Sequence, residues 1–219
     1  MTTDSEREQT RREELEKFVG SRISALQSAY LSPGGERKSS AASKLARLRR
    51  AVAQAPGENP DEWSVLFDGM PERLVGKGDS PSPAELAAHT AITLYAIHQQ
   101  SQGEPMHHRG RDYNLGTSVR RFVNLSAVEG STLENGELPV RFAALVTADS
   151  FSETQYYLRQ LVHQLKGKSV PLDYALLAGQ LYDLQFPQRA DGVRLSWGRA
   201  FARSVPKQDQ QPESTQSNL

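Results

Sequence analysis

The chain has 219 residues, with 26 Lys and Arg against 26 Asp and Glu, and no cysteine. This length allows a buried core without crosslinks, and the lack of cysteine excludes disulfides, thiolate metal sites and a cysteine nucleophile. A charged N-terminal segment and the absence of a long apolar run argue against a signal peptide and a membrane span, so we expect a soluble cytoplasmic protein.

The first half of the chain has helical periodicity. Helices are predicted over 9–31, over 39–55, from Asn59 for a short stretch, and over 83–100. The last of these has no charged residue after Glu85, which predicts a helix at the centre of a bundle.

The second half continues the same pattern. Its helices are predicted over 115–125, 138–147, 152–167, 171–186 and 193–204, with Asp173 in the first turn of the fourth. In 152–167, Arg159, His163 and Lys166 recur at i, i+4 and i+7 on a face away from the apolar stripe. No stretch alternates with period two long enough to predict a strand. The sequence therefore predicts an all-α, compact bundle of about eight or nine helices.

The polar ends of the chain are predicted to be disordered tails, over 1–8 and 205–219, because they have almost no apolar anchor. Residues 9–204 between them are predicted to form one helical domain, or two small sub-bundles. These sub-bundles would cover 9–103 and 114–204, on either side of a linker at 101–114, and a further linker is predicted at 129–136.

The charges are sorted into blocks although their sum is zero. Basic residues predominate in 36–55, 105–125 and 156–204, and acidic residues collect in 58–79 and 129–153. A polynucleotide responds to the local field, so a neutral chain can still present a basic stripe. Ordinary solvated helix faces are the competing interpretation.

Catalytic chemistry has no clear signature in the sequence. The HExxH, GxSxG and phosphate-binding-loop patterns do not occur, and no two carboxylates can be placed across a cleft. A helical metal-dependent hydrolase using His89, His98, His107, His108 and Asp112 stays open as a minor alternative. We predict no catalytic residue, no metal ligand and no cofactor.

Short segments with a fixed order and spacing point to a family. They are Leu45–Arg50 before Trp63–Phe67, Asn114–Gly116, Ser118–Phe122, Val140–Leu145, Tyr157–Leu161, Leu172–Tyr174 and Trp197–Arg199. Over about residues 40–204 this pattern resembles the small subunit (CasB family) of the type I-E CRISPR surveillance complex, Cascade. A long N-terminal helix over 9–31 departs from the shorter members.

The resemblance implies a non-catalytic, all-helical subunit, present in two copies, that contacts the backbone and large subunits of Cascade. It also implies contact with the guide RNA, the target DNA and the displaced non-target strand of the R-loop. The candidate nucleic-acid-binding residues are Arg47, Arg49, Arg50, Arg111, Arg120, Arg121, Arg141, Arg159, Lys166 and Arg199. We expect their side chains to converge on one continuous track.

Two further expectations concern protein contacts. The acidic stretches, with Asp61 and Glu62 among them, are expected to face protein neighbours while the basic ones face nucleic acid. The alternative function is a purely protein-binding helical adaptor whose basic faces meet acidic partners without any nucleic-acid contact.

Overall fold

The computed structural model describes residues 4–128 and 137–203, and these ranges form the all-α fold that the sequence predicts. Nine α-helices lie within them: α1 (Asp4–Tyr30), α2 (Glu36–Ala51), α3 (Trp63–Leu66), α4 (Pro83–His98), α5 (Leu115–Val128), α6 (Glu137–Val146), α7 (Phe151–Gly167), α8 (Tyr174–Leu184) and α9 (Pro187–Ala202). Two 3-10 turns, Pro60–Glu62 and Arg111–Tyr113, precede α3 and α5. No helix in these ranges is long and apolar enough to cross a membrane.

Helix α4 lies at the centre of the bundle, as its lack of charged residues after Glu85 predicts. The Ser82 hydroxyl accepts a hydrogen bond from the amide of Glu85, and the Glu85 carboxylate accepts one from the amide of Ser82 at 2.6 Å. Pro83 occupies the first helical position, where no amide hydrogen is needed. Almost every residue from Ala84 to Gln99 is buried, because α1, α2, α7 and α8 all pack against this helix.

The start of α1 corrects the prediction of a disordered tail over 1–8, because residues 4–8 are helical. The cause is a contact distant in sequence. The Tyr182 hydroxyl of α8 donates a hydrogen bond to the Glu8 carboxylate at 2.5 Å, and the Arg189 guanidinium of α9 lies 3.2 Å from the same carboxylate. These bonds hold the first turns of α1 against the C-terminal helices.

Helices α8 and α9 also begin elsewhere than predicted. Asp173 is not in the first turn of α8 but caps it, since its carboxylate accepts hydrogen bonds from the amides of Ala175 and Leu176 at 3.0 Å. Helix α9 begins at Pro187 instead of at 193, because proline at the first position has its φ already set for a helix.

The segment predicted as a linker over 101–114 is bound to the bundle. His107 forms an isolated parallel bridge with Leu172, and its Nδ1 accepts a hydrogen bond from the amide of Tyr174 at 3.1 Å. The side-chain amide of Gln27 pairs with the backbone of His107 at 2.9 and 3.0 Å. These bonds fix the position of the 3-10 turn before α5.

One hydrophobic core joins the two predicted sub-bundles, 9–103 and 114–204. Helix α8 packs against α1 and α4, and α7 packs against α4. Ile92, Leu158 and Trp197 belong to the same buried cluster. The predicted linker over 129–136 and tail over 205–219 lie outside the described residues.

Candidate nucleic-acid interface

Three of the predicted nucleic-acid-binding residues line one surface groove. Arg111 lies in the 3-10 turn before α5, Arg121 on α5 and Arg199 on α9. Arg12 of α1 and Arg203, directly after α9, also line this groove, whose volume is about 730 Å³. We name it the arginine groove after these five residues.

The lining of the arginine groove is rich in hydrogen-bond donors. Among the described residues, Asp112 contributes the one carboxylate of the lining, against five guanidinium groups. Thr117 and Ser196 add hydroxyl groups. Because a guanidinium fork matches the oxygens of a phosphate, this lining suits an anionic backbone.

Helices α5 and α9, which both contribute residues to the groove lining, approach each other closely at Gly116. A Cβ atom at Gly116 would lie 2.8 Å from the backbone nitrogen of Phe201 and would clash with the carbonyl oxygen of Trp197. The Trp197 ring is fully buried, and its Nε1 donates a hydrogen bond to Oε1 of Gln180 at 2.8 Å. This contact between two segments of the predicted family pattern brings the arginines of α5 and α9 into one groove.

Aromatic rings hold Arg121 in place. Its Cζ lies 5.3 Å from the centroid of the Tyr113 ring. The His108 ring stacks on the same tyrosine, with centroids 4.8 Å apart and planes 18° apart. Since a cation over an aromatic face is attracted to it, Tyr113 positions the Arg121 guanidinium, and His108 packs against the Tyr113 ring.

Arg12 differs from the other arginines of the groove because carboxylates compensate its charge. Its guanidinium lies 3.1 Å from the Glu16 carboxylate and 3.1 Å from the Asp183 carboxylate. The sequence does not reveal this residue, because its position depends on how α1 packs against α8. Arg203 could have been identified, since it follows Arg199 by four residues and continues the same helix face.

A second group of predicted residues lies on α7 and the adjacent part of α2. Partial burial and the nearby Arg49 guanidinium lower the pKa of Lys166, whose Nζ donates a hydrogen bond to the side chain of Gln100 at 3.2 Å. Partial burial, Lys166 and Arg159 likewise lower the pKa of His163. These cations therefore act on one another. We name Arg49, Arg159, His163 and Lys166 the α7 surface.

The other predicted residues do not line the groove. Arg47 and Arg50 are exposed on α2, and Arg141 is half-buried on α6. Arg120 lies over the Phe201 ring, with Cζ 5.6 Å from the centroid. No described lining residue of the arginine groove belongs to α2 or α7, so the groove and the α7 surface share no residue, and these four candidates belong to neither.

The histidines considered for metal binding have structural contacts. His89 Nε2 lies 3.1 Å from a Glu62 carboxylate oxygen, and both side chains are buried. The expectation that Glu62 faces a protein neighbour was therefore wrong. His98 Nδ1 is hydrogen-bonded to the Tyr174 hydroxyl at 2.8 Å, and burial together with Lys166 lowers the pKa of His98 to about 3. Within the described ranges, no three His, Cys, Asp or Glu side chains are grouped to hold a metal.

Comparison with known proteins gives a family and several similar folds. The family model described as CRISPR-associated protein Cse2 matches residues 44–201. The crystal structure of CasB from Thermobifida fusca is 33% identical, with 87% of this chain and 98% of that one covered and a TM-score of 0.67. A Cse2-family protein from Thermus thermophilus is 25% identical, and the match covers 85% of this chain and 96% of that one with a TM-score of 0.55. CasB from M. ruber, 20% identical with 82% and 91% covered, shares the fold at a TM-score of 0.56. No curated protein matches the sequence.

Proposed function

Since the chain belongs to the CRISPR-associated Cse2 (CasB) family of type I-E Cascade subunits, we propose that it is a non-catalytic, nucleic-acid-binding subunit of this complex. Its basic surfaces hold the guide RNA–target DNA heteroduplex and the displaced strand of the R-loop. Its partners are the guide RNA, the target DNA, the backbone and large subunits of Cascade, and a second copy of the chain.

The observation that carries this proposal is the convergence of Arg111, Arg121 and Arg199 in the arginine groove. The three residues come from three different elements, and Arg199 is distant in sequence from the other two. Cations placed together repel one another unless an anion compensates them. Only one carboxylate, that of Asp112, shares the described lining, so a bound polyanion is the natural source of the missing negative charge.

The energetics of an R-loop suit such a subunit. Opening the target duplex costs roughly 1.4 kcal/mol per base-pair step, and the RNA–DNA hybrid returns about as much. A few backbone contacts can therefore tip the balance. Because base pairing reads the sequence, the subunit needs only charge and shape, which the arginine groove provides.

The test uses Cascade assembled with Arg121→Ala/Arg199→Ala in this subunit. R-loop formation is measured by electrophoretic shift over a series of salt concentrations. Each lost phosphate contact lowers the slope of log affinity against log salt by about one unit, so we expect a loss of about two units. The same variant should co-purify with the other subunits as the wild type does.

Arg194→Ala is the matched control, because Arg194 lies on the same helix as Arg199 but outside the groove lining. It is paired with Asp191 at 3.2 Å and donates to the carbonyl oxygen of Ala148 at 3.1 Å. We expect its salt dependence to equal that of the wild type. If the double variant assembles and keeps the wild-type slope, the proposal is wrong and the protein-binding adaptor is favoured.

A further inference from the structure

An exposed tyrosine lies in line with the cations of the α7 surface. Tyr156, Arg159, His163 and Lys166 are spaced by three, four and three residues. At 100° per residue they fall within an arc of about 80°, and at 1.5 Å per residue they extend over about 15 Å. The Tyr156 side chain is 56% exposed.

The Tyr156 ring has a face available to a ligand. Its neighbour Tyr157 contacts it in a T-shaped arrangement, with centroids 5.3 Å apart and planes 74° apart. An edge contact of this kind covers at most one face of a ring. The tyrosine of the arginine groove differs, because the Tyr113 ring already carries both His108 and Arg121.

We infer that Tyr156 stacks on an unpaired base, so that the α7 surface binds single-stranded nucleic acid while its cations hold the phosphates. This inference rests on the proposed function and assigns a ligand class to one of its two surfaces. A base inside a duplex is stacked on both sides, whereas an unpaired base offers a free face to an aromatic side chain. The cations Arg159 and Lys166 follow Tyr156 along the helix, where the backbone of the same strand would lie.

The experiment compares two single-stranded probes, oligodeoxythymidylate and an abasic oligonucleotide of the same length, binding to the full chain at low salt by fluorescence anisotropy. Tyr156→Leu should weaken binding of oligodeoxythymidylate about tenfold and leave the abasic probe unchanged, since stacking on an aromatic side chain contributes about 1–3 kcal/mol per base. Its salt slope should equal that of the wild type. Tyr156→Phe, which keeps the ring, should bind both probes as the wild type does.

Lys166→Ala is the contrasting variant. It should weaken binding of both probes and lower the salt slope by about one unit, because it removes a cation and no ring. Leucine replaces tyrosine at position 156 because it keeps an apolar side chain, and the exposed site should leave the melting temperature unchanged. If the melting temperature changes, Tyr156→Phe and the abasic probe separate the loss of the ring from a loss of folded protein.

The failure of this inference is distinct from the failure of the proposed function. If the wild type binds both probes equally, or if Tyr156→Leu binds oligodeoxythymidylate as the wild type does, stacking is excluded. Binding to phosphates by the cations would then remain. If the wild type binds neither probe at low salt, the proposed nucleic-acid contact of this surface is wrong as well.

Discussion

Arginines pair with carboxylates at the junction of α1 with α8 and α9, whereas in the arginine groove several arginines line one surface together with a single described carboxylate. At the junction, Asp183 lies 3.1 Å from Arg12 and 2.9 Å from Arg189, and Glu8 lies 3.2 Å from Arg189. In the groove, the guanidinium groups of Arg111, Arg121, Arg199 and Arg203 share a described lining with the carboxylate of Asp112, and Arg12 lies where the two regions meet. The 26 basic and 26 acidic residues are therefore unevenly distributed in the fold, and some of the carboxylates form ion pairs between helices.

The two regions should respond differently to change. Removal of one partner from an ion pair between helices lowers stability, because the remaining charges are left partly buried without partners. A cluster of cations at the surface contributes little to stability but attracts a polyanion. Variants that alter one region and spare the other test this distinction.

The largest effect is expected from a change in the contact between α5 and α9. Gly116→Ala would place a methyl group against the backbone of α9, at Trp197 and Phe201, where no flexible side chain can yield. We expect the free energy of unfolding to fall by about 3 kcal/mol, because α5 and α9 must separate. Urea denaturation followed by circular dichroism measures this loss.

Gly198→Ala is the control for that variant. Gly198 lies within α9, and a Cβ atom there would meet nothing within 4 Å. Alanine should therefore stabilise the helix by about 0.5–1 kcal/mol. Equal effects of the two glycine substitutions would show that the contact at Gly116 does not hold the groove together.

The next effect concerns the junction itself. Asp183→Ala removes a carboxylate whose side chain is 10% exposed and leaves Arg12 and Arg189 with one acid fewer. We expect a loss of about 2 kcal/mol, less than for a fully buried pair because Glu8 and Glu16 remain nearby. Thermal and urea unfolding measure the loss, and the salt dependence of nucleic-acid binding should stay unchanged.

Asp191→Ala serves as the matched control, because Asp191 pairs with Arg194 but its side chain is 91% exposed. An exposed pair contributes little, so we expect a change within about 0.5 kcal/mol. If Asp183→Ala lowered the free energy of unfolding by no more than this, the ion pairs of the junction would not stabilise the packing of α1 against α8 and α9.

The sequence predicts the helices of both regions but not the contacts between them. The apolar stripe of α7 and the stretch of α4 without charged residues after Glu85 can be read within single helices, and both are buried as predicted. Helix starts were less accurate, because a proline such as Pro187 can begin a helix well before the apolar pattern becomes regular.

For the candidate site as well, the sequence predicts single residues but not how they come together. Charge blocks identify Arg111, Arg121 and Arg199 as candidates, yet only the packing of Gly116 on α9 brings two of them together. Arg12 lies outside every basic block, and its partner Asp183 is distant in sequence. Pairing between distant residues depends on tertiary packing, which local charge patterns do not encode.

The pH dependence of stability extends the comparison to the core beneath the α7 surface. Burial and the charge of Lys166 lower the pKa of His98 to about 3, against about 6.5 in an unfolded chain. The unfolded chain then binds a proton that the folded chain does not, so stability falls as pH drops through 6.5 and continues to fall until about 3.

From about pH 7 to about pH 5.5, His98 should account for a loss of about 1 kcal/mol in the free energy of unfolding. Urea titrations of the wild type and of His98→Gln at both pH values measure it. The variant is expected to be less stable at either pH but to lose about 1 kcal/mol less between them. Identical pH dependence in the two proteins would show that His98 is not held neutral by its surroundings.

The smallest effect concerns binding at the α7 surface. Partial burial and the charges of Lys166 and Arg159 lower the pKa of His163, and a bound phosphate would offset those charges and raise it again. Binding would then take up a proton, so affinity should increase as pH falls through the range near the ordinary histidine pKa of about 6.5.

The junction should add no such pH dependence of binding, because its cations already have carboxylate partners. At constant ionic strength, we expect oligodeoxythymidylate to bind about threefold more tightly at about pH 6 than at about pH 8. In His163→Gln this difference should disappear, and a variant with the wild-type pH dependence would show that another group takes up the proton.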